Sequence, residues 1–163
     1  MIGNLEIERS WLLKTIPVDL TFDRTINQYY IPTEEGSLRV RQSCFADNSE
    51  VYHETKKYPR PNGKVGFIEH EREITQDEFV EMVQKAETFI FKNRFLKKGE
   101  GKNEGLTWEV DVFTSIHLIR VEIELPNDET EVEIEDWLKE SVIMETTGMK
   151  EFSNYSLSKK LVF

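Results

Sequence analysis

The sequence predicts a mainly β fold with a small helical share. Three observations carry that prediction. Most of the chain between turn-like clusters alternates with period two. One segment alone combines a strong helical period with a helix-start signal. The charges of the alternating segments come as pairs two residues apart, which a strand sets side by side on one face. The 163 residues suit one domain, 1–163, long enough to build a core without disulfides or metals. Aromatic residues, at 11%, argue against wholesale disorder.

Strands are expected over 3–13, 37–45, 51–58, 65–74, 90–97, 106–113, 117–125 and 151–157. Between them fall turn-like clusters: Pro32 to Gly36, Asp47 to Ser49, Pro59 to Gly63, Gly99 to Gly105 and Pro126 to Asp128. Thr75 followed by Glu78 fits a capping box, and Phe79, Met82, Val83 and Ala86 then share one face. A helix is therefore expected from Thr75 to Ala86. A shorter one is expected through Glu133 to Glu140, burying Trp137 and Leu138. The acidic stretch from Asp128 to Asp136 reads as a solvated loop and helix start. The glycine-rich run Lys97 to Gly105 lacks the Gly-Lys-Ser/Thr ending of a phosphate loop and reads as a hairpin turn.

Each charged pair keeps one sign. Glu6 and Glu8 lie opposite Leu5 and Ile7; Arg39 and Arg41 lie opposite Leu38 and Val40. Glu69, Glu71 and Glu73 share a face, as do Lys92 and Arg94, and Glu122 and Glu124. Residues two apart on a strand stand roughly 6.5–7 Å from each other. A like-charge pair at that spacing is mildly unfavourable unless it is solvated or neutralised. Two readings stay open on this ground. Every pair faces bulk water, or the strands form a closed barrel with a polar lumen and an apolar exterior covered by helices. In the second case, carboxylates in threes or fours hold a hard divalent cation. Arg and Lys take phosphate oxygens, with Arg capable of bidentate contact. That combination neutralises a polyanion such as a triphosphate.

In order along the chain, the charged strands resemble a CYTH domain, the fold of the triphosphate tunnel metalloenzymes. The resemblance covers nearly the whole chain. Glu6-Ile7-Glu8-Arg9-Ser10 meets the family's Glu-x-Glu-x-Lys, Arg39-Val40-Arg41 its Arg-x-Arg, and Thr55-Lys56-Lys57 its Thr-x-Lys. Glu71-Arg72-Glu73 meets the acidic strand, and Lys92-Asn93-Arg94-Phe95 the Lys-x-Arg-aromatic step. Trp108 to Phe113 meets the aromatic-to-Asp-x-Phe hairpin, and Leu118 to Glu124 the Leu-x-x-x-Glu-x-Glu strand. Trp137, Gly148 and Asn154-Tyr155-Ser156-Leu157 fit the usual tail.

The resemblance implies an eight-stranded antiparallel β-barrel with a few helices packed outside, whose tunnel binds a triphosphate and a divalent metal, Mg²⁺ or Mn²⁺. By resemblance, Glu6, Glu8, Glu122 and Glu124 are the metal ligands, with Asp111 a further candidate. Arg39, Arg41, Lys57 and Arg94 would hold phosphates, with Glu71 and Glu73 beside them. Lys92 and Tyr30 map onto the Lys and Tyr that some members place near the nucleophilic water, with Tyr29 the alternative if the loop shifts by one. Trp11, Trp108 and Trp137 are expected to pack helices against the barrel's outer face.

Two departures stand out. Ser10 replaces the motif lysine. Arg9 has the wrong parity to substitute, and Lys14 has the right parity but sits about 13 Å further on. Losing one charge-assisted bond costs about 1.5–3 kcal/mol. Glu69 stands where an Arg is often found, so the lumen is more acidic than the family norm.

The resemblance therefore implies a metal-dependent triphosphatase, acting on inorganic tripolyphosphate or on a nucleoside or thiamine triphosphate. Ser10 and Glu69 motivate the alternative of a protein that binds a phosphorylated nucleotide without turnover. Adenylate-cyclase-type cyclisation is the other alternative. The net charge of −10 disfavours non-specific nucleic-acid binding. Cys44 alone allows no disulfide framework and no cysteine-based zinc ribbon. His53, His70 and His117 lack metal-ligand spacing. The opening MIGNLEIERSWLLK carries acids and no long apolar run, so a cytoplasmic chain with no membrane partner is expected.

Overall fold

Alternation and turns assemble into one sheet, described by a computed structural model over residues 3–34 and 36–160. The strands are β1 (Asn4–Glu6), β2 (Glu8–Leu13), β3 (Thr21–Thr33), β4 (Gly36–Phe45), β5 (Glu50–Pro59), β6 (Phe67–Ile74), β7 (Thr88–Lys98), β8 (Thr107–Phe113), β9 (Ile119–Glu124) and β10 (Val142–Glu145). The helices are α1 (Gln76–Val83), α2 (Asp136–Lys139) and α3 (Asn154–Ser158). All pairings are antiparallel, in the order β1-β6-β5-β4-β3-β7-β8-β9-β2-β10.

The mainly β, antiparallel, tunnel-like class holds. The count and the closure differ from the eight-stranded closed barrel. The hydrogen-bonded ladder has two edges, β1 and β10. The tunnel's two flanks are joined by chain instead: β1 and β2 are separated only by Ile7, yet β1 pairs with β6 and β2 with β9. The Ile7 carbonyl accepts from the Leu125 N–H at 2.8 Å, extending the β2–β9 pairing to the break.

Strand β3 carries no polarity alternation, which hid it from the sequence. Its inner face mixes Arg24, Ile26, Gln28 and Tyr30. Its outer face begins with Thr25, bonded to Asn93 at 2.8 Å, and Asn27, bonded to Gln42 at 3.1 Å. A bulge between Phe22 and Arg24 turns Phe22 outward onto Phe95. Strand β10 is a four-residue edge, too short to signal itself. The expected strand over 151–157 is replaced by a 3₁₀ turn, Lys150–Phe152, and α3. Ser153 caps α3, its Oγ accepting from the Ser156 N–H at 3.2 Å.

Two apolar clusters cover the outer face. One gathers Trp11, Leu13, Trp108, Val110, Val121 and Ile123 under Leu138 of α2. The other gathers Val40, Tyr52 and Ile74 under Phe79 of α1. The capping box that starts α1 is present, Thr75 Oγ accepting from the Glu78 N–H at 3.1 Å. The three tryptophans pack together, Trp108 against Trp11 at 5.7 Å and against Trp137 at 6.0 Å, and Trp137 is only partly buried. The acidic stretch does more than solvate. Glu135 accepts from Trp108 Nε1, Asn103 Nδ2 and Trp137 Nε1 at 2.5, 2.8 and 3.0 Å, so this carboxylate fixes the loop that covers the cluster. A third cluster, Tyr30, Ile90, Phe113 and Leu157, sits on the inner face and fills one end of the tunnel. No helix among the described residues is long and apolar enough to cross a membrane.

Candidate functional site

Strand parity turns the like-charge pairs inward. Register then sets them against one another: Glu8 opposite Glu124, Glu109 opposite Glu122, Arg94 opposite Asp111, and Lys57 opposite Glu69. They enclose a cavity of about 320 Å³. Its acidic side carries Glu6, Glu8, Glu69, Glu109, Glu122 and Glu124; its basic side carries Arg24, Arg39, Arg41, Lys57 and Arg94. Leu5 is the one apolar residue lining it among the described residues. A shallower depression of about 500 Å³ lies outside, by Ile7, Val65 and Leu125. There both Asp128 oxygens are taken by Arg60, at 2.8 and 2.9 Å.

The glutamates face one another in pairs whose two members are shifted in opposite directions. Burial and the hydrogen bond to Glu6 push Glu69 up to about 7. Burial acts upward on Glu6 as well, but the Glu69 hydrogen bond and Lys57, 2.9 Å away, outweigh it and hold Glu6 at about 2. Deeper in, burial and then the Glu122 charge raise Glu8 well above the usual carboxylate range. Glu122 resists the same burial and stays at about 2, with Arg120 the largest opposing influence. Burial and the Glu6 charge raise Glu124. In the Glu6–Glu69 and Glu8–Glu122 pairs, burial and the facing like charge thus raise one carboxyl while neighbouring cations hold the other down.

These oxygen-only donors fit a hard divalent cation, which would offset the repulsion between them. Among the described residues, no three Asp, Glu, His or Cys side chains already stand in a metal-holding arrangement. The glutamates would therefore turn to converge.

The basic side is short of partners. Arg41 has no carboxylate within ion-pair distance among the described residues. Its Nε donates to Gln28 Oε1 at 2.8 Å, and burial with Arg39, Arg94 and Arg24 nearby pushes it down to about 9. Arg39 donates to Thr55 at 3.1 Å, lies 3.6 Å from Glu71, and leaves Nε buried without a partner. Arg24 Nε lies 3.3 Å from Asp23 but without hydrogen-bond geometry. Buried guanidiniums left this way are costly unless an anion joins them.

Several expected residues stand apart from the cavity. Asp111, fully buried, does not line it. Its Oδ1 accepts from Arg94 Nε at 2.8 Å, and its Oδ2 from Lys92 Nζ at 2.7 Å and Arg94 Nη2 at 2.9 Å. Burial acts upward on this carboxyl, and Lys92 and Arg94 overcome it, holding it far below the usual range. Lys92 is 1% exposed, and burial brings it down to about 7 despite Asp111. Tyr30 is packed in the inner apolar cluster, its hydroxyl accepting from Gln28 Nε2 at 3.0 Å. Tyr29 points outward onto Phe79. Glu71 lines the cavity and accepts from Thr55 at 2.9 Å, whereas Glu73, opposite His53, is exposed and outside it. Ser10 faces Glu122 in register but bonds through Oγ to the buried Thr146 at 2.8 Å.

Four participants escaped the sequence reading. Glu109 and Arg120 had a usable signal, being two residues before Asp111 and Glu122 with the same parity. Arg24 lay on the unrecognised β3. Asn154 arrives from α3, which no strand pattern could place.

The sequence matches no family model and no curated protein. Solved structures do match. The inorganic triphosphatase NE1496 shares 26% identity with a TM-score of 0.62, over 93% of this chain and 96% of that one. The PH1819 protein from Pyrococcus horikoshii shares 21% with a TM-score of 0.56, over 83% and 82%. A candidate adenylate cyclase from Bacillus halodurans shares 16% with a TM-score of 0.53, over 79% and 84%.

Proposed function

We propose that this chain, a CYTH-type domain by fold, hydrolyses a terminal phosphoanhydride of a triphosphate, with inorganic tripolyphosphate the best-fitting substrate. The observation that carries the reading is the cavity's chemistry: Arg41 without a carboxylate partner among the described residues, and Arg39 and Arg24 each with Nε lacking a hydrogen bond, face paired glutamates, and Leu5 is the one apolar residue of the lining. Such a wall fits a compact polyanion and gives a base or thiazolium ring nothing to stack on.

Arg24, Arg39 and Arg41 hold phosphate oxygens, with Lys57 and Arg94 at the boundary with the acidic side. Glu6, Glu8, Glu122 and Glu124 would hold Mg²⁺ or Mn²⁺, which when bound neutralises phosphate charge and polarises the P–O bonds. Water adds to the terminal phosphorus and the bridging P–O bond breaks, giving orthophosphate and pyrophosphate. Lys92 and Tyr30 act as positioning residues beneath the floor. Lys92 holds Asp111, which orients Arg94; Tyr30 holds Gln28, which orients Arg41.

The test is phosphate release from tripolyphosphate, ATP and thiamine triphosphate with Mg²⁺, Mn²⁺ or chelator, beside a Glu122→Gln, Glu124→Gln variant. Release is expected to be fastest from tripolyphosphate and absent with chelator and in the variant. No release with either metal would sink the reading. The burial of Lys92 beneath the floor favours one other reading, sequestration without turnover. Recovery of intact tripolyphosphate from a tight complex would identify it.

A further inference from the structure

The C-terminal segment contributes a side chain to the cavity that no charged-strand pattern explains. Asn154 lines the same space as the arginines. Its Oδ1 accepts from Arg120 Nη2 at 2.6 Å. A guanidinium only donates, so the atom facing it is the amide oxygen, and Nδ2 occupies the other branch of the amide. Among the described residues, Nδ2 finds no acceptor. Nor is Asn154 needed as a helix cap, since Ser153 performs that task for α3.

Arg120 is itself immobilised. It is 4% exposed, its Nη1 donates to the Phe152 carbonyl at 2.7 Å, and its Nη2 lies 2.5 Å from Glu122 Oε1. Its guanidinium also rests over the Phe113 ring at 5.3 Å. The orientation of the Asn154 amide is therefore imposed from beneath the cavity floor. A neutral donor suits this position, because a second cation here would be drawn to Glu122.

We propose that Asn154 is a further phosphate-binding residue: its Nδ2 donates to an oxygen of the bound polyphosphate, and Arg120 is the positioning residue that aims it. The inference rests on the reading that the cavity takes a polyphosphate. Asn154→Asp tests it, because this change keeps the shape and the contact with Arg120 while replacing the donor with an acceptor. The variant is expected to raise KM for tripolyphosphate roughly ten- to a hundredfold. It should also reduce the rise in Tm that tripolyphosphate produces, with the ligand-free Tm unchanged. Asn154→Ala, which adds no charge, is expected to raise KM about tenfold. Arg120→Lys keeps the charge, loses the fork that sets the amide, and should raise KM with the wild-type Asn154 in place.

Wild-type KM and ligand-induced Tm shift in a folded Asn154→Asp variant would overturn the inference and leave the triphosphatase reading intact. A fall in ligand-free Tm alongside the KM rise would assign Asn154 to the fold and overturn it too. Wild-type protein that neither binds nor hydrolyses tripolyphosphate would overturn both.

Discussion

Asp111→Asn removes one charge from a buried ionic cluster. Asp111 has no exposure, Lys92 has 1% and Arg94 has 6%, and both cations donate to its two oxygens. Removing one member of a buried ion pair costs about 3–5 kcal/mol, because the partner charge is left uncompensated. Arg94 retains Glu109 as a second partner, whereas Lys92 has no other carboxylate in ion-pair reach among the described residues. Lys92, already brought to about 7 by burial, escapes part of the penalty by losing its proton. The expected cost is therefore about 3 kcal/mol at neutral pH, or roughly 6–12 °C in Tm.

The pH dependence gives a sharper signature. In the variant, the folded lysine titrates below its wild-type value while the unfolded one stays near 10.5. The unfolded state then binds more protons, so stability rises with pH, by up to about 1.4 kcal/mol per unit. In wild type this rise begins near 7. In the variant it extends below 7. Urea titrations of both proteins from pH 5.5 to 8 measure it, and Lys92→Met in the variant should remove the extra slope. A variant within about 0.5 kcal/mol of wild type, with no added slope below pH 7, would refute the reasoning.

Three further outcomes follow from the same geometry. Ser10→Lys should not improve tripolyphosphate binding. Ser10 Oγ already meets the buried Thr146, so a longer side chain forces repacking, and a thermal melt should show a loss of about 1–3 kcal/mol. Gln28→Leu should raise KM about tenfold, because Arg41 loses its one fixed acceptor, while a kcat that falls by the same factor with KM unchanged would contradict that role. Gly66→Ala should destabilise by more than about 1 kcal/mol in a denaturant melt: Gly66 has φ +108°, and a Cβ there meets the Glu6 carbonyl oxygen at 2.4 Å.

Much of the site was legible because a strand's period of two fixes which face a side chain takes. Glu6, Glu8, Arg39, Arg41, Lys57, Arg94, Glu122 and Glu124 all turn into the cavity, as their parity required. Depth along the tunnel is a different quantity. It depends on strand tilt and on what covers each end, and neither has a local sequence signal. Lys92 has the parity of Arg94 yet lies under the floor, and Glu73 has the parity of Glu71 yet lies beyond the cavity. Strand β3 was illegible for another reason. Its outer Thr25 and Asn27 bond to side chains of neighbouring strands, and its inner face mixes Arg24 with Ile26, so neither face reads as apolar. The helical turn that replaced the expected last strand is set by the Ser153 cap and by the Arg120 contacts at Phe152 and Asn154, and the latter are long-range.

The joint at Ile7 has a kinetic consequence. The pairings of β1 with β6 and of β2 with β9 link the beginning of the chain to its middle and to its last third. Contacts so distant in sequence demand loop closure before they return any stabilisation, so they form late. Glu6 and Glu8 ride on those two short strands, one on each side of the joint. The acidic side of the cavity is therefore completed late: until the first strand segment docks on both flanks, Glu6 and Glu8 are missing while the glutamates of β6, β8 and β9 and the arginines of β3 and β4 are in place. A chain arrested at that stage would line the cavity with five carboxylates and five cations, and the final docking step would add the two glutamates that give the site its acidic excess.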